Sequence, residues 1–333
     1  MTATTLAHPQ MDYSHEKSVA IEAVSQAVRL CTAIQSDLIQ ATVLEKQDTS
    51  PVTIADFGAQ ALICRHLAER FPNDVIVGEE DSRDLRGPGS GVALRLVTQY
   101  VREFYAEATS GEVCRWIDKG NGDVTDRFWT VDPIDGTKGF LRHDQYAIAL
   151  ALVEGGQVRV GVLGCPVLRK SLVGPGRDAG VMFVAVHGEG ASMADLNQSA
   201  WMPIHVASGE NEVQQRFVQS VESAHGDSDL QQAVARAVGI TRPALRLDSQ
   251  AKYGAVARGD AVLYLRFPST RDTSYREKIW DHVAGALIVE EAGGQVTDML
   301  GQALDFASNR RMLISRGLVA SNGLLHHAVF GYK

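Results

Sequence analysis

Residues 128–140 read F-W-T-V-D-P-I-D-G-T-K-G-F, and the interpretation of the whole chain starts from this stretch. An apolar run ends in two carboxylates, Asp132 and Asp135, which a stiff Pro-Ile pair holds apart. We expect this turn to aim both carboxylates and the Ile134 carbonyl at one point. The single Lys138 that follows cannot balance two negative charges, so the pattern predicts that another cation binds here.

The residues after the second aspartate predict a place for a phosphate group. Gly136 and Thr137 are typical of a helix start, where unpaired backbone N–H groups and the positive end of the helix dipole favour an anion. Metal ligands beside such a phosphate cradle are what metal-assisted hydrolysis of a phosphate ester needs. An ordinary structural interpretation also fits, because Asp-Pro commonly begins a turn and Gly-Thr commonly begins a helix.

Further carboxylates occur in similar settings elsewhere in the chain. Glu79 and Glu80 follow a short apolar run, Asp281 opens a helical segment in I-W-D-H-V-A-G, and Asp56 lies early in another helical segment. Oxygen ligands without clustered cysteine or histidine suit Mg²⁺ rather than zinc or copper. The sequence therefore predicts a magnesium site to which several segments contribute.

The composition limits the classes of protein and partner that fit. A chain of 333 residues with 45% apolar residues can bury a large core, and we expect two subdomains in one compact body. The formal charge of −8 argues against a nucleic-acid partner. No apolar run reaches the roughly 18 residues of a membrane span, and the N-terminal residues lack the apolar core of a secretory signal. We predict a cytoplasmic monomer without a membrane partner.

The four cysteines support a reducing compartment, because they are widely spaced and form no C-x-x-C pair. They are Cys31, Cys64, Cys114 and Cys165. We expect all four to be free thiols, mostly packed as small core residues.

Hydrophobic periodicity predicts an α+β half, residues 1–200, followed by an α/β half, residues 201–333, stacked in layers. The first half is expected to hold most metal ligands, and the second the nucleotide pocket and one ligand. The helices are expected at 15–42, 53–70 (with Thr53 as its cap), 94–108, 229–238 and 280–292. The strands are expected at 74–77, 146–153, 158–164, 181–186, 216–221, 261–267 and 295–297.

Three motifs together resemble the inositol monophosphatase superfamily of lithium-sensitive, Mg²⁺-dependent phosphatases. They are G-E-E at 78–80, W-T-V-D-P-I-D-G-T at 129–137 and W-D-H-V-A-G-A-L-I-V-E-E-A-G-G at 280–294, in this order. The resemblance implies a layered αβαβα sandwich of the inositol monophosphatase and sugar phosphatase type. It also implies two or three bound Mg²⁺ ions and inhibition by lithium.

The same resemblance implies roles for individual residues. The implied metal ligands are Glu79, Asp132, the Ile134 carbonyl, Asp135 and Asp281. Asp56 and Thr137 are implied as the pair that orients and deprotonates the attacking water. Glu80 is expected to support the ligands rather than to bind metal itself.

Longer segments resemble the 3′(2′),5′-bisphosphate nucleotidases within this superfamily. These segments are D-P-I-D-G-T-K-G-F-L-R at 132–142, L-D-S-Q-A-K-Y at 247–253 and Y-R-E-K-I-W-D-H at 275–282. The resemblance implies removal of the 3′-phosphate from adenosine 3′,5′-bisphosphate and from 3′-phosphoadenosine 5′-phosphosulfate, in sulfur metabolism. The implied substrate-binding residues are Gly136, Thr137, His225, Ser249, Lys252, Arg266 and Asp281. Lys252 and Arg266 would hold the phosphate that is not cleaved.

Other functions remain open at this point. The metal motifs fit an inositol polyphosphate 1-phosphatase or an inositol monophosphatase as well, because they contact only the ester phosphate. A non-catalytic nucleotide sensor is a remote alternative, since Asp56, Thr137 and the metal ligands are all present. The chain also departs from the nucleotidase pattern, because His143 stands where glycine is expected and residues 269–272 look longer than usual.

Overall fold

The computed structural model describes residues 12–41, 51–172, 180–196, 200–209, 215–221, 227–268 and 276–331. The first layer of this structure consists of N-terminal helices. They are α1 (Ser14–Ala41), α2 (Pro51–Arg70), α3 (Arg83–Arg86), α4 (Gly91–Arg102) and α5 (Ser110–Asp118). The long helices α1 and α2 pack closely, because a Cβ on Gly58 would lie only 3.0 Å from the Leu30 side chain.

A seven-stranded sheet forms the second layer, with its strands in sequence order. They are β1 (Val75–Gly78), β2 (Arg127–Asp135), β3 (Ala147–Glu154), β4 (Gln157–Cys165), β5 (Val181–Val186), β6 (Gly190–Asp195) and β7 (Met202–Pro203). The pair β1–β2 is parallel, and the remaining neighbours are antiparallel. Trp129 and Leu150 pack toward the N-terminal helices, whereas Phe128 and Ala149 belong to the core on the other face. Because both faces are covered, these strands read as continuous apolar runs.

The third layer is a pair of buried helices, α8 (Ala251–Ala257) and α9 (Val283–Glu291). Small residues let them approach their neighbours closely. A Cβ on Gly161 of β4 would lie 3.0 Å from the Ala284 carbonyl, and one on Gly285 would lie 2.4 Å from the Tyr253 ring. This layer shares one core with both sheets, so the elements on its two sides are held in a fixed register.

A second sheet and two outer helices complete the fold. The strands are β8 (Phe217–Gln219), β9 (Leu245–Arg246), β10 (Leu263–Arg266), β11 (Gln295–Thr297) and β12 (Leu318–Ser321), in the order β11-β12-β10-β8-β9. Helices α7 (Ser228–Ala237) and α10 (His326–Phe330) cover the outer face of this sheet. The layers therefore run α, β, α, β and α, which confirms the predicted layered sandwich.

Most of the longer elements lie where the sequence predicts them, including the strand at 181–186 and the hairpin of β3 and β4. Three helix boundaries are wrong. The second helix begins at Pro51, so Thr53 lies inside it instead of capping it, and the helix predicted at 94–108 ends at Arg102. The helix predicted at 280–292 is divided at His282, whose φ of −140° is not helical.

Short elements account for the rest of the differences. The unpredicted strands β6, β7, β9 and β12 and helices α3, α5 and α10 have two to nine residues, which is too short for a clear periodic signal. The unusual segment 269–272 lies outside the described residues. A subdomain boundary near residue 200 stays a prediction. Among the described helices, none is long and apolar enough to cross a membrane.

Candidate metal and phosphate site

The candidate site begins where the two parallel strands of the first sheet end. Gly78 of β1 is paired in register with Val131 of β2, so Glu79 and Asp132 follow at the same edge of the sheet. The pairing of β2 with β3 is interrupted between Asp132 and Asp135. An Asp132 side-chain oxygen accepts the Ile134 N–H at 3.1 Å, which fixes the turn between the two aspartates.

Four carboxylates act electrostatically on a fifth, the buried Asp132, at this edge. Burial raises the pKa of the Asp132 carboxyl well above its usual range, and the charges of Glu79, Asp135, Asp281 and Asp56 raise it further. We call these five residues the carboxylate cluster. Several negative charges in a buried place are stable only if they are protonated or paired with cations. Their all-oxygen donor set fits a hard divalent cation such as Mg²⁺.

The outer members of the carboxylate cluster show the same effect. The enclosing protein and the charge of Glu80 raise the pKa of Glu79 to about 7, although part of the Glu79 side chain reaches solvent. Burial raises the pKa of Asp281 to about 6, even though His282 and Arg266 nearby oppose the shift. A metal ion would stabilise the ionised forms of both carboxyls.

A glutamine that sequence reasoning missed fixes the turn that carries Glu79. The buried Gln60 amide accepts the Glu80 N–H at 2.9 Å and donates to the Glu80 carbonyl at 2.6 Å. Gln60 lies one turn after Asp56 in α2. This helix therefore supplies one member of the carboxylate cluster, Asp56, and also the side chain that holds the backbone next to another member, Glu79. Glycine at position 78 is required for this fit, because a Cβ would lie 2.7 Å from the Gln60 oxygen.

A second missed glutamine connects three functional segments. The Gln250 N–H donates to an Asp135 side-chain oxygen at 2.6 Å, and its side chain donates to the Trp280 carbonyl at 2.8 Å. Its amide oxygen accepts the Gly285 N–H at 3.1 Å. Gln250 therefore ties the Asp135 turn to the short 3-10 helix Ile279–Asp281 and to the start of α9.

The turn after Asp135 has the predicted helix start. Gly136 has φ 89° and precedes α6 (Thr137–Leu141), whose first residue is exposed. Ser249 is buried against this turn, since a Cβ on Gly136 would lie 3.0 Å from the Ser249 Cβ. Helix α6 contacts α2, which carries Asp56. No hydrogen bond joins Asp56 to Thr137 within the described residues, so their joint action on a water stays a prediction.

The two expected phosphate-binding cations differ in their surroundings. Lys252 is buried, its ammonium lies 5.4 Å from the centre of the Tyr264 ring, and it makes no ion pair with the described residues. Burial lowers the pKa of Lys252 to about 8, and the charge of Asp135 opposes this shift. Arg266 instead pairs with Glu277 through two nitrogens, at 2.9 and 2.7 Å. His225 lies outside the described residues.

A second acidic group adjoins the carboxylate cluster. Ligand atoms of Glu277, Asp281 and His282 lie within 4.8 Å of one another. The Glu277 carboxylate is engaged by Arg266, and it also contacts the His282 Nε2 at 3.3 Å. The other His282 nitrogen contacts the Tyr253 hydroxyl at 2.8 Å. This network holds the residues beside Asp281, and its signal in the sequence is the E-K-I-W-D-H motif.

Comparisons with known proteins identify the family that this chain matches. A family model described as the inositol monophosphatase family matches residues 12–331. A 3′(2′),5′-bisphosphate nucleotidase of Oryza sativa is 44% identical to this chain over 93% of the chain and 91% of that protein. A 3′(2′),5′-bisphosphate nucleotidase of Schizosaccharomyces pombe is 41% identical over 93% of this chain and 92% of that protein.

Solved structures share the fold at much lower identity. CysQ from Bacteroides thetaiotaomicron, a bacterial member of the inositol monophosphatase family, has a TM-score of 0.63 and 20% identity to this chain. The match covers 94% of this chain and 99% of that one. An inositol monophosphatase from Zymomonas mobilis has a TM-score of 0.62 and 20% identity, over 96% of each chain.

Proposed function

This chain belongs to the inositol monophosphatase family, and we propose that it hydrolyses the 3′-phosphate ester of adenosine 3′,5′-bisphosphate to AMP and phosphate. The observation that carries the proposal is a buried lysine beside a carboxylate cluster. Lys252 is buried and has no ion-pair partner among the described residues. The negative charges of Asp135 and Asp281 both raise the pKa of its ammonium group. A substrate with two phosphates fits this arrangement, one at the cluster and one at Lys252.

Five groups would hold the metal. They are the side chains of Glu79, Asp132, Asp135 and Asp281 and the carbonyl of Ile134. The raised pKa values of Asp132, Glu79 and Asp281 support this assignment, because these three carboxyls lack the positive charge that their ionised forms need. Bound Mg²⁺, with two or three ions in all, supplies positive charge that stabilises the charge developing on the phosphoryl oxygens. Glu80, held by Gln60, would support the ligands.

The remaining residues position water and substrate. In the proposed step a water oxygen forms a bond to the 3′-phosphorus, the bond from phosphorus to O3′ breaks, and O3′ takes up a proton. Thr137 and Asp56 would orient this water and accept its proton. Gly136 and Ser249 would contact the scissile phosphate and the ribose side of the substrate, and His225 would contact the nucleoside.

Arg266 would assist at the rim of the pocket rather than act as an independent phosphate ligand. It is already paired with Glu277, so it can reach a second phosphate only by sharing its guanidinium group. Lys252 is therefore the stronger candidate for the phosphate that is not cleaved. 3′-Phosphoadenosine 5′-phosphosulfate would be accepted too, because its sulfated end also presents a phosphate to Lys252. We place the reaction in the cytoplasm and expect the enzyme to act as a monomer.

A panel of substrates tests this proposal. Phosphate release is measured with adenosine 3′,5′-bisphosphate, adenosine 2′,5′-bisphosphate, inositol 1,4-bisphosphate, inositol 1-phosphate and fructose 1,6-bisphosphate, each with Mg²⁺ and with a chelator. We expect the highest kcat/KM with adenosine 3′,5′-bisphosphate and no turnover with chelator. A preference for inositol 1-phosphate would contradict the nucleotidase assignment, and full turnover with chelator would contradict the metal assignment.

A further inference from the structure

A cavity of about 470 Å³ opens beside the carboxylate cluster. It is lined by Glu79, Lys278, Trp280, Asn309, Arg310 and Arg311. Three of these side chains are cationic, and Glu79 is the one carboxylate among the lining residues. Glu79 also belongs to the carboxylate cluster, where a metal ion would use its charge. The cavity is therefore strongly positive next to a centre that is strongly negative.

The backbone places two of these cations opposite each other. Ile279 donates to the Arg310 carbonyl at 3.1 Å, and Met312 donates to the Glu277 carbonyl at 2.9 Å. Lys278 and Arg311 are thereby paired across an isolated antiparallel bridge. Like charges directly opposite each other destabilise such a pair, unless an anion lies between them.

The protein itself supplies little compensation for these charges. Among the described residues, the side chains of Lys278 and Arg311 make no hydrogen bond and no ion pair. The Lys278 ammonium lies 5.0 Å from the centre of the Trp280 ring. Arg310 lies 5.4 Å from the same ring and donates to the Gly78 carbonyl at 2.7 Å. Arg310 is thus partly engaged, whereas the other two cations are available to a ligand.

The Trp280 side chain adds an independent indication of a ligand. It is only 4% exposed, and its Nε1–H has no acceptor in the described part of the chain. A buried N–H donor without a partner is unfavourable, and a ligand oxygen in the cavity would satisfy it. Ammonium, guanidinium and indole N–H groups are all donors, so their common ligand is an acceptor with several oxygens.

We propose that this cavity is a binding site for a tetrahedral oxyanion and that its ligand is inorganic phosphate. The choice of phosphate rests on the proposed function, because hydrolysis at the carboxylate cluster releases phosphate next to the cavity. Lys278 and Arg311 hold the anion by charge-assisted hydrogen bonds, and Trp280 donates a third hydrogen bond.

Calorimetric titration of the Mg²⁺-loaded full chain with inorganic phosphate at low ionic strength tests the site without any turnover. We expect Lys278→Ala and Arg311→Ala each to weaken phosphate binding about 10-fold, the loss of one charge-assisted contact. Trp280→Phe keeps the ring and removes the N–H, so we expect a smaller loss. Lys278→Arg should keep binding close to that of the wild type.

Two controls separate this site from the metal cluster. Arg115 is an exposed arginine of α5 that does not line the cavity. The Arg115→Ala variant loses one positive charge outside the cavity, so this variant should bind phosphate like the wild type. Removal of a cation near Glu79 should leave Mg²⁺ affinity unchanged or raise it. Phosphate binding that is unchanged in Lys278→Ala and Arg311→Ala would overturn the inference, and so would a parallel loss of Mg²⁺ affinity.

The outcome is distinguishable from a failure of the proposed function. If the wild type hydrolyses adenosine 3′,5′-bisphosphate but the variants bind phosphate normally, only this inference is wrong. If phosphate binding depends on Lys278 and Arg311 in a protein that does not hydrolyse the nucleotide, the anion site is supported and the nucleotidase assignment is wrong.

Discussion

Replacement of Gln250 by leucine should separate the geometry of the metal site from the stability of the fold. Leucine fills a similar volume but leaves the Trp280 carbonyl and the Gly285 N–H without their partners, which lie at 2.8 and 3.1 Å in the native chain. A buried backbone group that loses its partner costs about 1–3 kcal/mol. For the two groups together we expect a loss of about 2–6 kcal/mol in the free energy of unfolding, measured by urea denaturation.

The same substitution should weaken metal binding, because Trp280 precedes Asp281 and Gly285 lies in the first turn of the following helix. Loss of a hydrogen bond that orients a ligand typically lowers metal affinity about 10–100-fold. We expect this range for the apparent Mg²⁺ affinity of Gln250→Leu, measured by calorimetry on folded protein.

Asn322→Leu is the matched control for this experiment. Asn322 is also a buried amide with two backbone partners, the Ala207 carbonyl at 3.0 Å and the Leu325 N–H at 3.5 Å, and neither belongs to the carboxylate cluster. It should lose stability and keep the Mg²⁺ affinity of the wild type. A Gln250→Leu protein with normal Mg²⁺ affinity would refute the role of this residue in positioning Asp281.

Further predictions concern the chemistry and one backbone position. Asp135→Asn and Asp281→Asn should each lower turnover by several orders of magnitude. Without metal, the stability of these variants should be unchanged or higher, because charge repulsion is relieved. Near-normal phosphate release would mean that other groups bind the metal. Thr137→Val should lower kcat about 10²–10⁴-fold, and adding Asp56→Asn should cost little more; multiplied losses in the double variant would show that the residues act separately. His143 is exposed and has φ 57°, a backbone conformation that favours glycine. His143→Gly should therefore raise the free energy of unfolding, measured by denaturant titration, by about 0.5–1 kcal/mol. A lower free energy of unfolding in the variant would show that the imidazole makes a stabilising contact. Lithium should inhibit turnover, and indifference to it would separate this chain from the lithium-sensitive phosphatases.

The sequence predicted the elements and residues whose signals are local. The Asp-Pro-Ile-Asp-Gly-Thr turn carries its own cue, because the spacing of its carboxylates and the glycine before the helix are readable without distant partners. The hairpin of β3 and β4 and the long helix α1 were likewise predictable from periodicity. The acidic residues of several segments predicted a shared magnesium site, and the resemblance of three motifs to a known family added the roles of the individual residues.

The groups that hold the site together were not predictable, because they act across long separations in sequence. Gln60 contacts residues 20 and 57 positions away, and Gln250 contacts residues 30, 35 and 115 positions away. A glutamine inside a helix, like Gln60, or directly before one, like Gln250, gives no sign of such partners. The pairing of Arg266 with Glu277, only 11 positions apart, was also missed, and it changes the expected role of this arginine.

The account depends most directly on Lys252 holding the phosphate that is not cleaved. The measurement is kcat/KM for adenosine 3′,5′-bisphosphate and adenosine 3′-monophosphate with the wild type and Lys252→Met, which keeps the packing but removes the charge. Loss of one charge-assisted contact should lower kcat/KM about 10–100-fold for the bisphosphate. The monophosphate should be a poor substrate for both proteins and nearly insensitive to the substitution. Equal proportional losses on the two nucleotides would contradict the account, because Lys252 would then support the fold or the metal cluster rather than the second phosphate.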